Sequence, residues 1–321
     1  VRRDQLGHCH LTHKHGPLKQ LKMSRPNILL GAALAGAAGI GFAANSTAAK
    51  LAYEGGSNPL TYLSLRSALA AALVLTIILV LGRSTKMPWR RRLAAIGLGA
   101  ILAVYSYGLL AAIQFIPVAL AVLIFYTFPL LTSIYMWISG RERPTWLSVG
   151  AILVAFFGLA LALDVTSGQL NLEGVALAIM AAFGITVVVV LNNRLVGTDD
   201  SRPITLHMML SAMTLFVVIT LVLGDFALPQ TGLGWTGILV GTSAYAFAIV
   251  TIFIAMSYAG AVPAALSLNL EPVASMFFGF VILGQTLSAL QISGAALVIA
   301  AVLSVRLADI RKPGYQGEPL S

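Results

Sequence analysis

The chain has 321 residues, of which 58% are hydrophobic and only 10% charged, with a formal charge of +9. A soluble chain carries roughly 25% charged residues, so there is too little polar surface here to coat a water-soluble globule. No basic stripe is interleaved with aromatics, which excludes a nucleic-acid-binding reading of the positive charge. The single cysteine, Cys9, excludes an intramolecular disulfide.

The first segment, residues 1–26, reads as a disordered cytoplasmic tail. Residues 1–22 read as an upstream extension, with Met23-Ser24-Arg25 as an ordinary start. His8, Cys9, His10, His13 and His15 are metal-ligand types, but their spacing fits no zinc pattern, so no metal is expected. No cleavable signal peptide is evident.

Ten apolar runs of membrane-spanning length follow. In chain order the predicted spans are Ile28–Ala49, Leu60–Leu81, Leu93–Ala112, Val118–Ser139 and Trp146–Leu163. The second set is Gly174–Leu191, Ile204–Leu223, Trp235–Tyr258, Val262–Leu283 and Ser288–Val305. Of the 20 Lys and Arg residues, all but Lys50 and Arg66 fall on the side that also carries both termini. The opposite loops hold Asp164, Glu173 and Asp225. This positive-inside pattern predicts a multi-pass inner-membrane protein with both termini cytoplasmic. Met87–Arg92 acts as an orientation anchor, and Trp89, Trp146 and Trp235 mark interfaces.

The two sets of spans repeat one another. Gly31–Gly41 reads GAALAGAAGIG and Gly174–Gly184 reads GVALAIMAAFG, with six of eleven positions identical. PLTYLSLRSA from Pro59 aligns with PITLHMMLSA from Pro203, Pro129 with Pro272, and Gly150 with Gly294. Each copy holds an odd number of spans, so the second copy enters the membrane from the opposite side. The predicted fold class is all-α integral membrane, ten transmembrane helices in a 5+5 inverted-topology repeat around a central cavity. Residues 27–165 form the first repeat, 172–306 the second, and 307–321 a cytoplasmic tail. Substrate sites of such proteins lie at the repeat interface near mid-membrane.

Ionisable groups within the spans are candidate site residues. Arg66 in helix two suits a carboxylate or phosphate, bound bidentately. Glu271 in helix nine suits an amine or a proton, and Lys50 sits at the outer rim. The alternatives are an Arg66–Glu271 ion pair that locks helices two and nine, or an Arg66 that snorkels outward. Tyr105, Tyr126, Tyr245, Asn45 and Asn269 are further substrate-binding candidates. Tyr107 and His207 within the spans, and Asn192 and Asn193 just after the sixth, are other polar points. Pro129 and Pro272 remove N–H donors to the carbonyls of Phe125 and Leu268, and are candidate gating points. Gly31, Ala35 and Gly39, and less cleanly Gly150, Val154 and Gly158, form small-residue stripes for close packing.

The order of these motifs resembles the drug/metabolite transporter superfamily, specifically its EamA-type ten-helix members. The resemblance rests on Lys50 in STAAKLA, Arg66 in LSLRSALAA, FYTFPLLTSIYMWISGRERPTWLSVGAIL, and LNLEPVASMFFGFVILGQTLSALQISGAAL with Glu271-Pro272. It covers residues 27–306. The family's acidic residue after Gly is displaced to Glu142 by Arg141, and Gln285 stands where Glu is usual, a position read as structural. The resemblance implies inner-membrane transport of a small metabolite, often export of amino acids or related compounds.

The expected function is therefore alternating-access export of a small organic solute. Import of a vitamin or other metabolite, and a passive channel, are the alternatives. The expected partners are the small-molecule substrate, membrane lipid and, as one energy source among several, protons; exchange and facilitated diffusion stay open. Nucleic acid is not expected, and the chain is a monomer or homodimer. No cofactor is expected. There is no phosphate-binding Gly-rich loop and no His-Glu-x-x-His site. Gly241-Thr242-Ser243 with a lone His207 is too sparse for a protease.

Overall fold

The computed structural model describes residues 28–80, 82, 85–140, 146–163, 171–196, 201–259 and 267–310. The histidine-rich N-terminal segment, Glu142 and the first part of the ninth predicted span lie outside the described residues. The described residues form helices and connecting turns only. The first half holds α1 (Ile28–Glu54), α2 (Pro59–Val80), α3 (Trp89–Phe115), α4 (Val118–Phe125), α5 (Phe128–Ile138) and α6 (Trp146–Leu163). The second holds α7 (Leu172–Val196), α8 (Ser201–Leu223), α9 (Gly232–Ala259), α10 (Leu270–Leu283) and α11 (Ala289–Ile310).

Among the described residues, seven segments are long and apolar enough to cross a membrane, and one of these, Val118–Ile138, comprises α4 and α5 together. Three shorter apolar helices, Val149–Ala162, Leu270–Leu283 and Ala289–Ala301, complete the ten positions expected. Large apolar side chains such as Leu79, Phe157, Leu221 and Phe280 lie exposed on the helix exteriors. That is the arrangement hydrocarbon favours and water does not.

Several helices run beyond their expected ends. α1 continues to Glu54, which puts Lys50 inside the helix, and α3 begins at Trp89, which draws Arg90–Arg92 into its first turn. Charge does not stop a helix; it only keeps that turn near the interface. The real stops are chemical. Asn58 Oδ1 accepts from Thr61 N–H at 2.8 Å at the start of α2, and Asn171 Oδ1 accepts from Gly174 N–H at 3.1 Å at the start of α7. Ser288 and Gln291 bond each other's backbone N–H groups at 3.2 and 2.9 Å, a capping box for α11.

The fourth predicted span is not one helix. It breaks at Tyr126–Thr127, and α5 restarts with Pro129 in its first turn. Proline is tolerated there because the N–H it lacks has no helical partner anyway. The second half shows the matching break, a turn at Leu268–Asn269 just before Glu271-Pro272.

Packing between the halves follows a twofold exchange: α1 lies along α9 as α7 lies along α3, α3 meets α8 as α9 meets α2, and α1 meets α10 as α7 meets α4 and α5. α2 pairs with α8 and α6 with α11. Small residues permit the closest approaches. A Cβ on Gly237 would strike the backbone of Ala48 and Ala52, and one on Gly241 would strike the Tyr62 hydroxyl. In the second predicted stripe, Gly158 meets the Gly294 carbonyl while Gly150 faces open space.

Candidate functional site

A cavity of about 190 Å³ lies between the halves. The first half supplies Phe42, Asn45 and Ser46 from α1, Arg66 from α2, Tyr105, Ser106 and Leu109 from α3, and Phe125, Tyr126 and Phe128 around the α4–α5 break. The second supplies Ile185 from α7, Tyr245 and Ile249 from α9, Leu268 from the turn and Glu271 from α10.

Arg66 sits eight residues into α2 and is only 4% exposed. A lone Arg at mid-membrane costs about 3 kcal/mol on insertion scales, so its surroundings must answer for it. Part of the answer is Tyr245, whose ring centroid lies 4.0 Å from the guanidinium carbon. A desolvated cation–π contact contributes about 2 kcal/mol. The Nε atom is buried without a hydrogen-bond partner. Among the described residues no ion pair joins Arg66 to Glu271. Arg66 therefore presents a cation stacked on one face, with donor capacity left at its edge.

Asn45 is set by a neighbour that sequence reasoning passed over. The Tyr62 hydroxyl lies 3.0 Å from Asn45 Oδ1 and 3.1 Å from its backbone oxygen. Tyr62 is four residues before Arg66, on the same helix face, and that spacing was the available signal. Holding Oδ1 turns the amide nitrogen, a donor, the other way.

Glu271 is 5% exposed, in the first turn of α10. The Tyr126 hydroxyl lies 2.7 Å from Glu271 Oε2 and 3.0 Å from the Leu268 carbonyl oxygen. That carbonyl is the one whose helical partner Pro272 removes, and it also accepts from Glu271 N–H at 2.9 Å. Phe125, Tyr126 and Phe128 pack ring against ring with centroids 5.7–5.9 Å apart, and Tyr105 stacks on Phe125 at 6.0 Å.

The cavity thus gathers Arg66, Glu271, Tyr105, Tyr126, Tyr245 and Asn45 from the sequence candidates. Two others lie elsewhere. Lys50 Nζ donates to the Ile113 and Gln114 carbonyls at 2.9 and 3.4 Å, in the last turn of α3. A cation there satisfies orphan carbonyls and opposes the helix dipole. Asn269 borders a separate groove with Gly36, Ile40, Val273 and Leu303. Pro129 and Pro272 lie just after the two breaks. His207 Nδ1 lies 2.7 Å from its own helix's Pro203 carbonyl, and Tyr107 is 37% exposed on the exterior. Asn192 and Asn193 fall on α7, and their side chains lie outside the described set. Gln285 Oε1 accepts from Val118 N–H at 3.2 Å, so the second half caps the start of α4. Ser46, Ser106, Phe42 and Phe128 were not singled out in the sequence. Phe128 was reachable, because aligning Pro129 with Pro272 places it opposite Glu271.

Two repeated bundles of apolar helices around a charged cavity define a multi-pass membrane protein built like a carrier. The comparisons agree. The profile of the EamA-like transporter family matches residues 29–163 and again 172–307, and the chain belongs to that family. It is 27% identical over 235 residues to the threonine/homoserine exporter RhtA of Salmonella typhimurium, in both strain SL1344 and strain LT2. Those matches cover 70% of this chain and 77% of the relative. A protein of known crystal structure shares the fold, with a TM-score of 0.60 at 21% identity, covering 89% of this chain and 98% of that one. The protein is a small-molecule transporter.

Proposed function

We propose that the chain exports amino acids or closely related amphoteric metabolites across the inner membrane by alternating access, with both termini in the cytoplasm. One observation carries this reading: a single buried cavity receives a cation from one half and a carboxyl from the other, and the two are not spent on each other. A zwitterion matches that pair. Its carboxylate meets the Arg66 edge and the Asn45 amide, and its ammonium meets Glu271. Tyr105 and Tyr245 form amphipathic walls, and Tyr126 stands beside the ammonium end. The cavity, at about 190 Å³, is smaller than the roughly 300 Å³ at which drug-sized sites begin, which favours a small metabolite. Lys50 and Asn269 serve at the margins, the one at the end of α3 and the other at the α10 turn. The breaks before Pro129 and Pro272 are the bending points. The Salmonella relatives export threonine and homoserine, which are of this chemical class.

The test is reconstitution of the purified protein into liposomes, loaded with a panel of amino acids, with and without a pH gradient. Counterflow of at least one amino acid is expected, abolished by R66A and by E271Q in variants that insert and remain folded. Wild-type rates in both variants, or flux without counterflow, overturns the reading; the latter result would indicate a channel.

A further inference from the structure

We propose that Tyr126 is a positioning residue whose single hydroxyl proton serves either the Glu271 carboxylate or the Leu268 carbonyl, so that neutralising Glu271 moves the phenol onto the helix break. This rests on the reading above that Glu271 receives the solute's ammonium or a proton.

A phenol has one proton to donate, and Tyr126 has two acceptors within reach, at 2.7 and 3.0 Å. An ionised acceptor forms a bond roughly twice as strong as a neutral one. While Glu271 is a bare carboxylate, it holds the phenol, and the Leu268 carbonyl keeps only the Glu271 N–H at 2.9 Å. Once Glu271 is protonated or faces an ammonium, its claim on the phenol weakens. A protonated Glu271 can itself donate to the phenol oxygen, and the phenol proton then turns to Leu268.

The position of this side chain gives the switch its reach. Tyr126 ends α4, where its N–H donates to Val122 at 2.9 Å and Thr127 N–H donates to Ile124 at 3.0 Å. Leu268 stands at the matching break in the other half. One hydroxyl therefore joins the two breaks, across the interface that must rearrange when access changes. The surroundings leave little slack: a Cβ on Gly39 of α1 would lie 3.3 Å from both the Leu268 oxygen and the Glu271 nitrogen. Among the described residues, α1 offers no titratable group to Glu271, α4 offers Tyr126, and the cavity adds Arg66, Tyr105 and Tyr245.

The test is hydrogen–deuterium exchange of the full-length protein in lipid nanodiscs, read on peptides spanning residues 266–276, with no solute added. After correction for intrinsic rates, the wild type is expected to exchange about fivefold more slowly at acid than at alkaline pH, the effect of one hydrogen bond. E271Q should hold the slow rate throughout, and Y126F the fast rate throughout. A wild-type-like pH step in Y126F overturns the proposal, as does a wild type without any step. Should Y126F fail to fold, a retained step in E271Q overturns it equally. Because no solute is used, a chain that carries no amino acid can still show the step, and one that carries amino acids can lack it.

Discussion

Arg66 shows how a costly residue is kept at mid-membrane. Tyr245 answers its charge on one face, the Nε has no hydrogen-bond partner, and in the proposed reading the guanidinium edge meets the solute. Lysine would keep the charge but lose both the stacking surface and the planar fork. R66K is therefore expected to lower the apparent affinity for a transported amino acid by about tenfold to a hundredfold, as the loss of a charge-assisted contact worth about 1.5–3 kcal/mol requires. Saturation curves in proteoliposomes check this; an unchanged half-saturation concentration would remove Arg66 from the binding site. Lys50 carries the opposite lesson. It is as ionisable as Arg66 and as isolated in the sequence, yet its ammonium is engaged by the end of α3.

At the scale of elements, the fold depends on backbones that approach where glycine allows. α9 meets α1 and α2 through Gly237 and Gly241, and the Tyr62 hydroxyl that orients Asn45 fills the space beside Gly241. G241A is expected to destabilise the protein by about 1–3 kcal/mol through overpacking, and to weaken solute binding through the displaced Tyr62. G150A is the control. A Cβ there meets nothing within 4 Å, so the better helix propensity of alanine should leave the melting temperature unchanged or raise it. Thermal unfolding in detergent compares the two, and equal melting temperatures would contradict the packing argument.

At the scale of the molecule, the halves are tied at one end. The loop between α8 and α9 lies on the loop between α1 and α2: Asn58 Nδ2 donates to the Asp225 carbonyl at 2.8 Å, Ser57 Oγ to Ala227 at 2.9 Å, and Gln230 N–H to Gly55 at 2.8 Å. In the proposed topology this is the outer end. The S57A/N58A double variant should favour the outward-open form by about fivefold per lost bond. Labelling of a cysteine placed at Ser106 by an impermeant thiol reagent added outside, in a background lacking Cys9, reads that shift; no gain in labelling would mean the tie does not govern access. Reporter fusions to each terminus should both register in the cytoplasm, and reporters on opposite sides would break the proposed inverted arrangement.

Composition, the length of the apolar runs and the internal echo alone showed that the chain spans a membrane, roughly where its helices fall, and that it is duplicated, because hydrocarbon demands long apolar helices and duplication leaves a visible echo. They also marked Arg66 and Glu271 as candidates, since charge in such helices is costly, and both line the cavity. The break at Tyr126–Thr127 was half legible, signalled by Pro129, though its position upstream of the proline was not. Only the tertiary structure decided which polar residues share the cavity. Tyr126 and Asn269 occupy equivalent places in the two repeats, yet one lines the chamber and the other an outer groove. Phe128 and Glu271 are likewise equivalent, and both face inward. Which way a side chain turns depends on the helix packed against it, and those contacts join residues far apart along the chain, beyond the range of any local pattern.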